Sequence, residues 1–236
     1  LTQYKDDLTA AFFYGAGCSS DERKLLIENA LRRVFPNLTE CKVEHDLTGA
    51  AIATAGDQAG IACILGTGSN SCFWDGEHAM EIRPALGYVL GDEGSGSYFG
   101  KKMLVDWLYD RMPEGLYSKF TEEYNLSKEK IFKSVYNEPH ANVYLASFMK
   151  FASEHKEHKY IKQLIYKGLA SFISTHVWCF TNFREVPVHF VGSIAYYFKE
   201  QLELVAFNHN FTVGKVVKRP VLSLARYHYR NCFSEV

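Results

Sequence analysis

The stretch "GIACILGTGSNSCFWDG" (residues 60–76) decides the fold that the sequence predicts. Two short apolar runs, 61–65 and 71–74, flank the polar turn GTGSN, and an Asp-Gly pair follows the second run. An Asp-Gly pair between apolar runs is a strong signal for a β-hairpin. Together with a third run at 78–83, these segments predict an antiparallel meander of three strands.

The turn Gly66-Thr67-Gly68-Ser69 allows two interpretations. Glycines tolerate positive φ and let an anion approach the backbone amides closely, and the two hydroxyls add donors, so the turn suits a phosphate group. The alternative is an ordinary hairpin turn made of polar residues. A GTG sequence has little specificity by itself, and both interpretations stay open at this point.

The composition is that of an ordinary globular protein, with 236 residues, 47% hydrophobic and 22% charged. The formal net charge of −1 indicates no basic surface for nucleic acid or membrane lipid. No apolar run approaches the roughly 20 residues that span a bilayer. These features predict a protein that acts on neither nucleic acid nor membrane.

The cysteines and the histidines in apolar segments are predicted to be structural. The six cysteines form no CxxC pair, which favours buried free thiols in a reducing, cytoplasmic compartment and no metal site; they are Cys18, Cys41, Cys63, Cys72, Cys179 and Cys232. Three histidines in apolar segments are predicted to be core residues; they are His45, His176 and His189.

The segments on either side of the meander predict α/β layering. Upstream, a strand at 9–14, a helix, and a strand at 41–45 lead into a helix of small residues. A helix of small residues can pack very close to a neighbouring element. Downstream, residues 114–182 read as mostly helical, and a strand at 186–192 is followed by a helix, a strand and a terminal helix.

Three further segments each have a structural and a functional interpretation. Asp46 lies between a strand and a helix, where it is either the helix N-cap or a catalytic carboxylate at the carboxyl end of a strand. In the glycine-rich loop at 91–96, Asp92 and Glu93 either stabilise a helix N-terminus or bind ligand hydroxyls. Gly192-Ser193 is either a tight turn or a nucleotide site with free amides.

Taken together, five segments resemble the BadF/BadG/BcrA/BcrD-type ATPase family, and closely its N-acetylglucosamine-kinase-like branch. They occur in the family's order and cover nearly the whole chain: Phe13-Tyr14-Gly15-Ala16-Gly17-Cys18, Asp46-x-x-Gly49-Ala50, "GIACILGTGSNS", "LGYVLGDEGSGSYFGK" and "VHFVGSIAYYF". The family belongs to the wider superfamily of sugar kinases, actin and heat-shock chaperone ATPases.

The resemblance implies an α/β fold of two ribonuclease H-like domains around a central cleft, the actin-like ATPase fold. Residues 1–59 would be the remainder of the first domain, with the C-terminal helix at 221–236 packing back on it. Residues 60–220 would form the second domain, with a helical insertion at 114–182. The family's first phosphate hairpin, which supplies the aspartate that organises Mg²⁺, is expected to precede Leu1, so the first domain is expected to be incomplete as given.

The resemblance also implies an activity and its residues. The expected reaction is transfer of the γ-phosphate of ATP, with Mg²⁺, to an amino sugar, most specifically the 6-hydroxyl of N-acetylglucosamine, by a protein that forms a homodimer. The implied roles are as follows: Asp46 takes the proton of the attacking hydroxyl, Gly66, Thr67, Gly68 and Ser69 bind phosphate, Asn70, Asp92 and Gly87 bind the sugar, and Gly192 and Ser193 bind the nucleotide.

Two alternative functions stay open. The first is an ATPase of the same family that activates a dehydratase through an iron–sulfur cluster, which the scattered cysteines disfavour. The second is a sensor that binds a sugar or nucleotide without catalysis.

Overall fold

The computed structural model describes residues 4–233. Its seven strands are β1 (Ala10–Gly15), β2 (Glu40–His45), β3 (Gly60–Leu65), β4 (Ser69–Trp74), β5 (Ala79–Met80), β6 (Val188–Val191) and β7 (Val213–Val217). Its α-helices are α1 (Asp21–Val34), α2 (Asp46–Thr54), α3 (Gly87–Leu90), α4 (Gly96–Leu108), α5 (Glu114–Tyr124), α6 (Lys128–Phe132), α7 (Ala141–Ser147), α8 (Met149–Glu154), α9 (Lys159–Phe172), α10 (Ser193–Tyr197), α11 (Lys199–His209) and α12 (Val221–Phe233). Two π-helical turns follow α6 and α9, at Lys133–Asn137 and Ile173–Val177.

The strands form two sheets. β1 and β2 pair in parallel, and a mixed five-stranded sheet has the order β5-β4-β3-β6-β7. Within it β3, β4 and β5 are antiparallel neighbours, whereas β6 and β7 run parallel to β3. The predicted meander is therefore confirmed. Its third strand is much shorter than the predicted 78–83, and Pro84 is a physical reason, since proline donates no ladder hydrogen bond and restricts the residue before it.

The small-residue helix α2 packs closely between the two sheets, as its composition predicts. It contacts β1, β3 and α12. A Cβ on Gly49 would lie only 2.7 Å from the Cβ of Tyr14, so the helix touches β1 through glycine. On the same face of β1, His228 of α12 stacks on Phe12 and hydrogen-bonds the hydroxyl of Tyr14 at 2.8 Å.

A helical layer covers the opposite face of the five-stranded sheet. Its interior is rich in aromatic side chains with almost no solvent exposure, and these are Phe99, Phe120, Phe148, Phe151 and Phe172. Full burial of each such side chain stabilises the fold by about 1.5–3 kcal/mol. None of the helices within residues 4–233 is long and apolar enough to cross a membrane.

Two other expectations need correction. The helix predicted after β6 is interrupted at Phe198, where the backbone leaves helical geometry (φ −113°, ψ 34°) and the ring becomes buried. Cys41 and Cys179 are only half-buried, with Cys179 at the margin of the helical layer's core, whereas the other three described cysteines are buried. Cys232 lies outside the residues whose side chains the structure describes.

Candidate functional site

Two loops lie side by side at the carboxyl edge of the five-stranded sheet. β3 and β6 are parallel neighbours, with Ile64 opposite Val191, so the chain leaves both strands at the same edge. A Cβ on Gly192 would lie 2.2 Å from the carbonyl oxygen of Leu65, and Gly192 has φ +125°. Only glycine fits here, and it brings the backbone of the second loop against the start of the first.

The turn after β3 is both a hairpin turn and a docked loop. The Gly66 N–H donates to the Gly68 carbonyl at 3.0 Å. The carbonyls of Gly66 and Thr67 accept hydrogen bonds from the first two amides of α4, Gly96 (2.8 Å) and Ser97 (3.0 Å). These helix amides therefore hold the loop in place instead of facing a ligand. A Cβ on Gly66 would meet nothing within 4 Å, so one side of the turn is open.

Asp92 supports the same turn from the loop at 91–96. Its Oδ1 accepts the Ser69 N–H at 3.4 Å, and a Cβ on Gly68 would lie 3.0 Å from its Oδ2. Burial raises the pKa of Asp92, and the Ser69 amide opposes that shift by favouring the charged carboxylate. Of the two interpretations of this loop, the structure does not bear out Asp92 as the cap of α4, because Ser95 is the N-cap and accepts the Tyr98 N–H at 3.2 Å.

Asp46 is the first residue of α2 and not its N-cap. His45 is the N-cap, and its Nδ1 accepts the Leu47 N–H at 3.4 Å. His45 is thus a half-buried capping residue, which also corrects its prediction as a core residue. Its Nδ1 lies 3.1 Å from Asp46 Oδ1. Burial raises the pKa of Asp46, and the neighbouring His45 opposes the shift.

Asn70 and Glu81 form a polar pair near Asp46. The Asn70 Nδ2 donates to Glu81 Oε2 at 3.0 Å, and its Oδ1 accepts the Ser71 N–H at 2.8 Å. The charge of Glu81 contributes to the raised pKa of Asp46, so the two carboxylates lie close enough to interact. Glu81 is not among the residues predicted from the sequence. The available signal was a carboxylate between the apolar residues Met80 and Ile82 of the predicted third strand.

Asp46 lines a cavity of about 560 Å³ at the same edge of the sheet as the two loops. Asp46 lines it together with Ile64 and Val191, which lie just before the two loops. Most of the remaining wall comes from β1 and α12 and includes Phe12 and Leu224. The structure therefore brings Asp46 and the ends of β3 and β6 around one cavity, although they are far apart in sequence.

Gly87 and Ser193 lie at the margins of this arrangement. Gly87 begins α3 with φ +73°, and its carbonyl accepts the Gly91 N–H at 2.8 Å, which attaches it to the loop at 91–96. Ser193 is the exposed first residue of α10.

An exposed aromatic pair follows Ser193 and was also missed. The side chains of Tyr196 and Tyr197 are about half exposed. The Lys218 Nζ lies 4.4 Å from the ring centroid of Tyr197 and 5.5 Å from that of Tyr196. Lys218 directly follows Val217, whose carbonyl accepts the Gly192 N–H at 2.9 Å. The Tyr-Tyr sequence in the predicted helix was the available signal.

Metal ligands are not clustered in the part of the chain that the structure describes. Within residues 4–233, no group of three or more His, Cys, Asp or Glu side chains is arranged to hold a metal ion.

Comparison with known proteins places the chain among sugar kinases. No protein-family model matches it. A solved structure described as a "Putative N-acetylglucosamine Kinase" from Porphyromonas gingivalis is 38% identical over 98% of this chain and 81% of its own, with a TM-score of 0.93. A second, from Chromobacterium violaceum and described in the same words, shares the fold at 16% identity over 92% of this chain and 75% of its own, with a TM-score of 0.68. On its likeness to the Porphyromonas protein, the chain belongs to the sugar kinase family that this protein represents.

Proposed function

We propose that the protein is an ATP-dependent carbohydrate kinase of the BadF/BadG/BcrA/BcrD type that phosphorylates the 6-hydroxyl of N-acetylglucosamine. The observation that carries the proposal is one cavity lined by Asp46, Ile64 and Val191, the last two lying just before the 66–69 turn and Gly192. Family membership with the Porphyromonas gingivalis protein supports the choice of sugar. The six cysteines, which form no CxxC pair, support a cytoplasmic location, where thiols stay reduced.

The 66–69 turn suits the β- and γ-phosphates of ATP. Its open side at Gly66 leaves room for an anion close to the backbone. The Ser69 hydroxyl is buried and has no hydrogen-bond partner among the described residues, and a buried polar atom of this kind calls for an explanation such as a bound ligand. Gly192 and Ser193 would carry the adenosine, with the exposed rings of Tyr196 and Tyr197 as an apolar surface beside them.

Asp46 would act as the general base. At neutral pH an aspartate is ionised unless its pKa rises by several units. An ionised carboxylate can orient the attacking hydroxyl and accept its proton as the new bond forms. Asn70 and Asp92, with Gly87 at the margin, would hold the other sugar hydroxyls.

The two-domain division expected from the resemblance is part of the proposal. Residues 1–59 and the helix at 221–236 would form one body and residues 60–220, with the insertion at 114–182, the other. The contacts of α12 with α2 and β1 support this grouping. Closure of the bodies would exclude water and so protect ATP from hydrolysis.

Mg²⁺ is proposed to accompany ATP, and the chemistry it supplies when bound is neutralisation of phosphate charge. The residues described here provide no ligand cluster for it. By the resemblance, its organising aspartate belongs to the family's first phosphate hairpin. A homodimer is likewise proposed on the resemblance alone.

The test is sugar-dependent ADP formation by the full-length protein with a panel of N-acetylglucosamine, N-acetylmannosamine and glucose. We expect phosphorylation of N-acetylglucosamine, with the product identified by mass spectrometry. The variant Asp46→Asn is expected to lose about 10²–10⁴-fold in kcat. The matched control is Asp57→Asn, an exposed position where the amide oxygen can still accept the Tyr227 hydroxyl. Absence of ADP formation with every sugar, or full activity of Asp46→Asn, would contradict the proposal.

A further inference from the structure

The π-helical turn at Ile173–Val177 contains a buried histidine with an unusual set of contacts. π-helical turns are rare and often occur at functional sites. His176 is 3% exposed, and its ring stacks on Phe172 with centroids 5.1 Å apart and planes 21° apart. The turn therefore places an imidazole inside the helical layer in one defined orientation.

The loop at 91–96 faces the turn at one point and the end of α9 at another. The His176 Nε2 lies 3.8 Å from Glu93 Oε2. A Cβ on the next residue, Gly94, would lie 3.0 Å from the Cβ of Phe172, so the loop backbone packs directly on α9. Because Asp92 is the preceding residue, its position depends on both contacts.

The turn is also tied to strand β4. The Ser71 hydroxyl donates to the carbonyl oxygen of His176 at 2.6 Å. Ser71 lies two residues after Ser69, so both side chains point to the same face of the sheet. The Ser69 N–H, in turn, donates to Asp92. One helical turn thus contacts both of the segments that build the candidate sugar and phosphate sites.

Stability does not explain the imidazole at this position. Its Nδ1 is buried and has no hydrogen-bond partner among the described residues, which costs about 1–3 kcal/mol. Burial lowers the pKa of His176. The charges that act on its imidazole are those of Glu93, Asp92, Arg83 and Glu81. A neutral imidazole carries one N–H, and Nε2 is the nitrogen that faces Glu93.

We propose that His176 is a positioning residue of the sugar site, whose Nε2 faces the Glu93 carboxylate across 3.8 Å and thereby favours the loop position that sets Asp92 against the 66–69 turn. The inference rests on the proposed function, because the sugar is the ligand that Asp92 is proposed to bind. His176 itself need not touch the sugar.

The experiment compares His176→Phe, His176→Gln and Glu93→Gln in the full-length protein with N-acetylglucosamine and ATP. The Phe variant keeps the stacked ring and loses both nitrogens, whereas the Gln variant keeps an N–H that can reach Glu93. His189→Gln is the matched control, since His189 is also buried but its Nδ1 accepts the Lys215 N–H, far from this loop in sequence. Thermal unfolding of each variant ensures that kinetics are measured on folded protein.

We expect His176→Phe to lower kcat/KM for the sugar about tenfold or more, mainly through KM for the sugar, with KM for ATP nearly unchanged. We expect His176→Gln to recover part of the loss and the double variant with Glu93→Gln to be non-additive. Wild-type sugar kinetics in His176→Phe, or an equal loss in His189→Gln, would overturn this inference while the proposed function stands. A wild-type protein that phosphorylates no sugar would overturn both.

Discussion

The substitution Gly192→Ala tests the packing of the two loops at the carboxyl edge of the sheet. Gly192 has φ +125° and ψ 166°, a region that essentially only glycine occupies. Forcing alanine into it costs about 1–3 kcal/mol. The new methyl group would also lie 2.2 Å from the carbonyl oxygen of Leu65 and 2.6 Å from its carbonyl carbon. Leu65 belongs to a central strand paired on both sides, so its backbone has little freedom to move.

The combined loss is expected to be roughly 3 kcal/mol or more in the free energy of unfolding. For a chain of this size, each kcal/mol shifts Tm by about 2–4 °C, so Tm should fall by about 6–12 °C. The measurement is differential scanning calorimetry, with ATP affinity from titration calorimetry at a temperature where the variant is folded. Displacement of the loop should also weaken ATP binding.

The control is Gly115→Ala in α5, where a Cβ would meet nothing within 4 Å and φ is not positive. It should raise the free energy of unfolding by up to about 1 kcal/mol, because alanine has a higher helix propensity than glycine. If Gly192→Ala unfolds within about 2 °C of the wild type, the deduced contact between Gly192 and Leu65 is wrong.

Three other predictions follow from single contacts. Because burial raises the pKa of Asp46 and Asp92, their charged forms destabilise the fold at pH 7. Asp46→Asn and Asp92→Asn should therefore have a higher Tm than the wild type at pH 7. This gain should shrink as the pH falls through the raised pKa values towards about 4, and a gain of equal size at pH 4 would contradict the assignment. Ser69→Ala removes a buried hydroxyl without a described partner, so Tm should stay within about 2 °C of the wild type while KM for ATP rises; an unchanged KM would remove Ser69 from the phosphate site. Tyr160→Phe deletes the hydroxyl that donates to Asp106 at 2.8 Å, and chemical denaturation should show a loss of about 1–3 kcal/mol, against little change for the exposed Tyr109→Phe.

Local pattern predicted most of the elements correctly. The short apolar runs and the Asp-Gly pair around residues 60–76 predicted the meander, and the run of small residues after Asp46 predicted a close-packed helix. These signals succeed because they depend on neighbours in the chain. The cap of α2 shows their limit, since His45 and Asp46 are adjacent and only the backbone conformation decides which of them caps the helix.

The sequence by itself determined the order of strands and helices, the polar turn at 66–69, and the residue types available for chemistry. The tertiary structure decided which of these residues meet. The parallel pairing of β3 with β6 places Ile64 opposite Val191, and this pairing sets Gly192 against Leu65. The packing of the 91–96 loop sets Asp92 against Gly68. Such contacts arise from long-range strand pairing and helix packing, whose partners no local pattern of residues specifies.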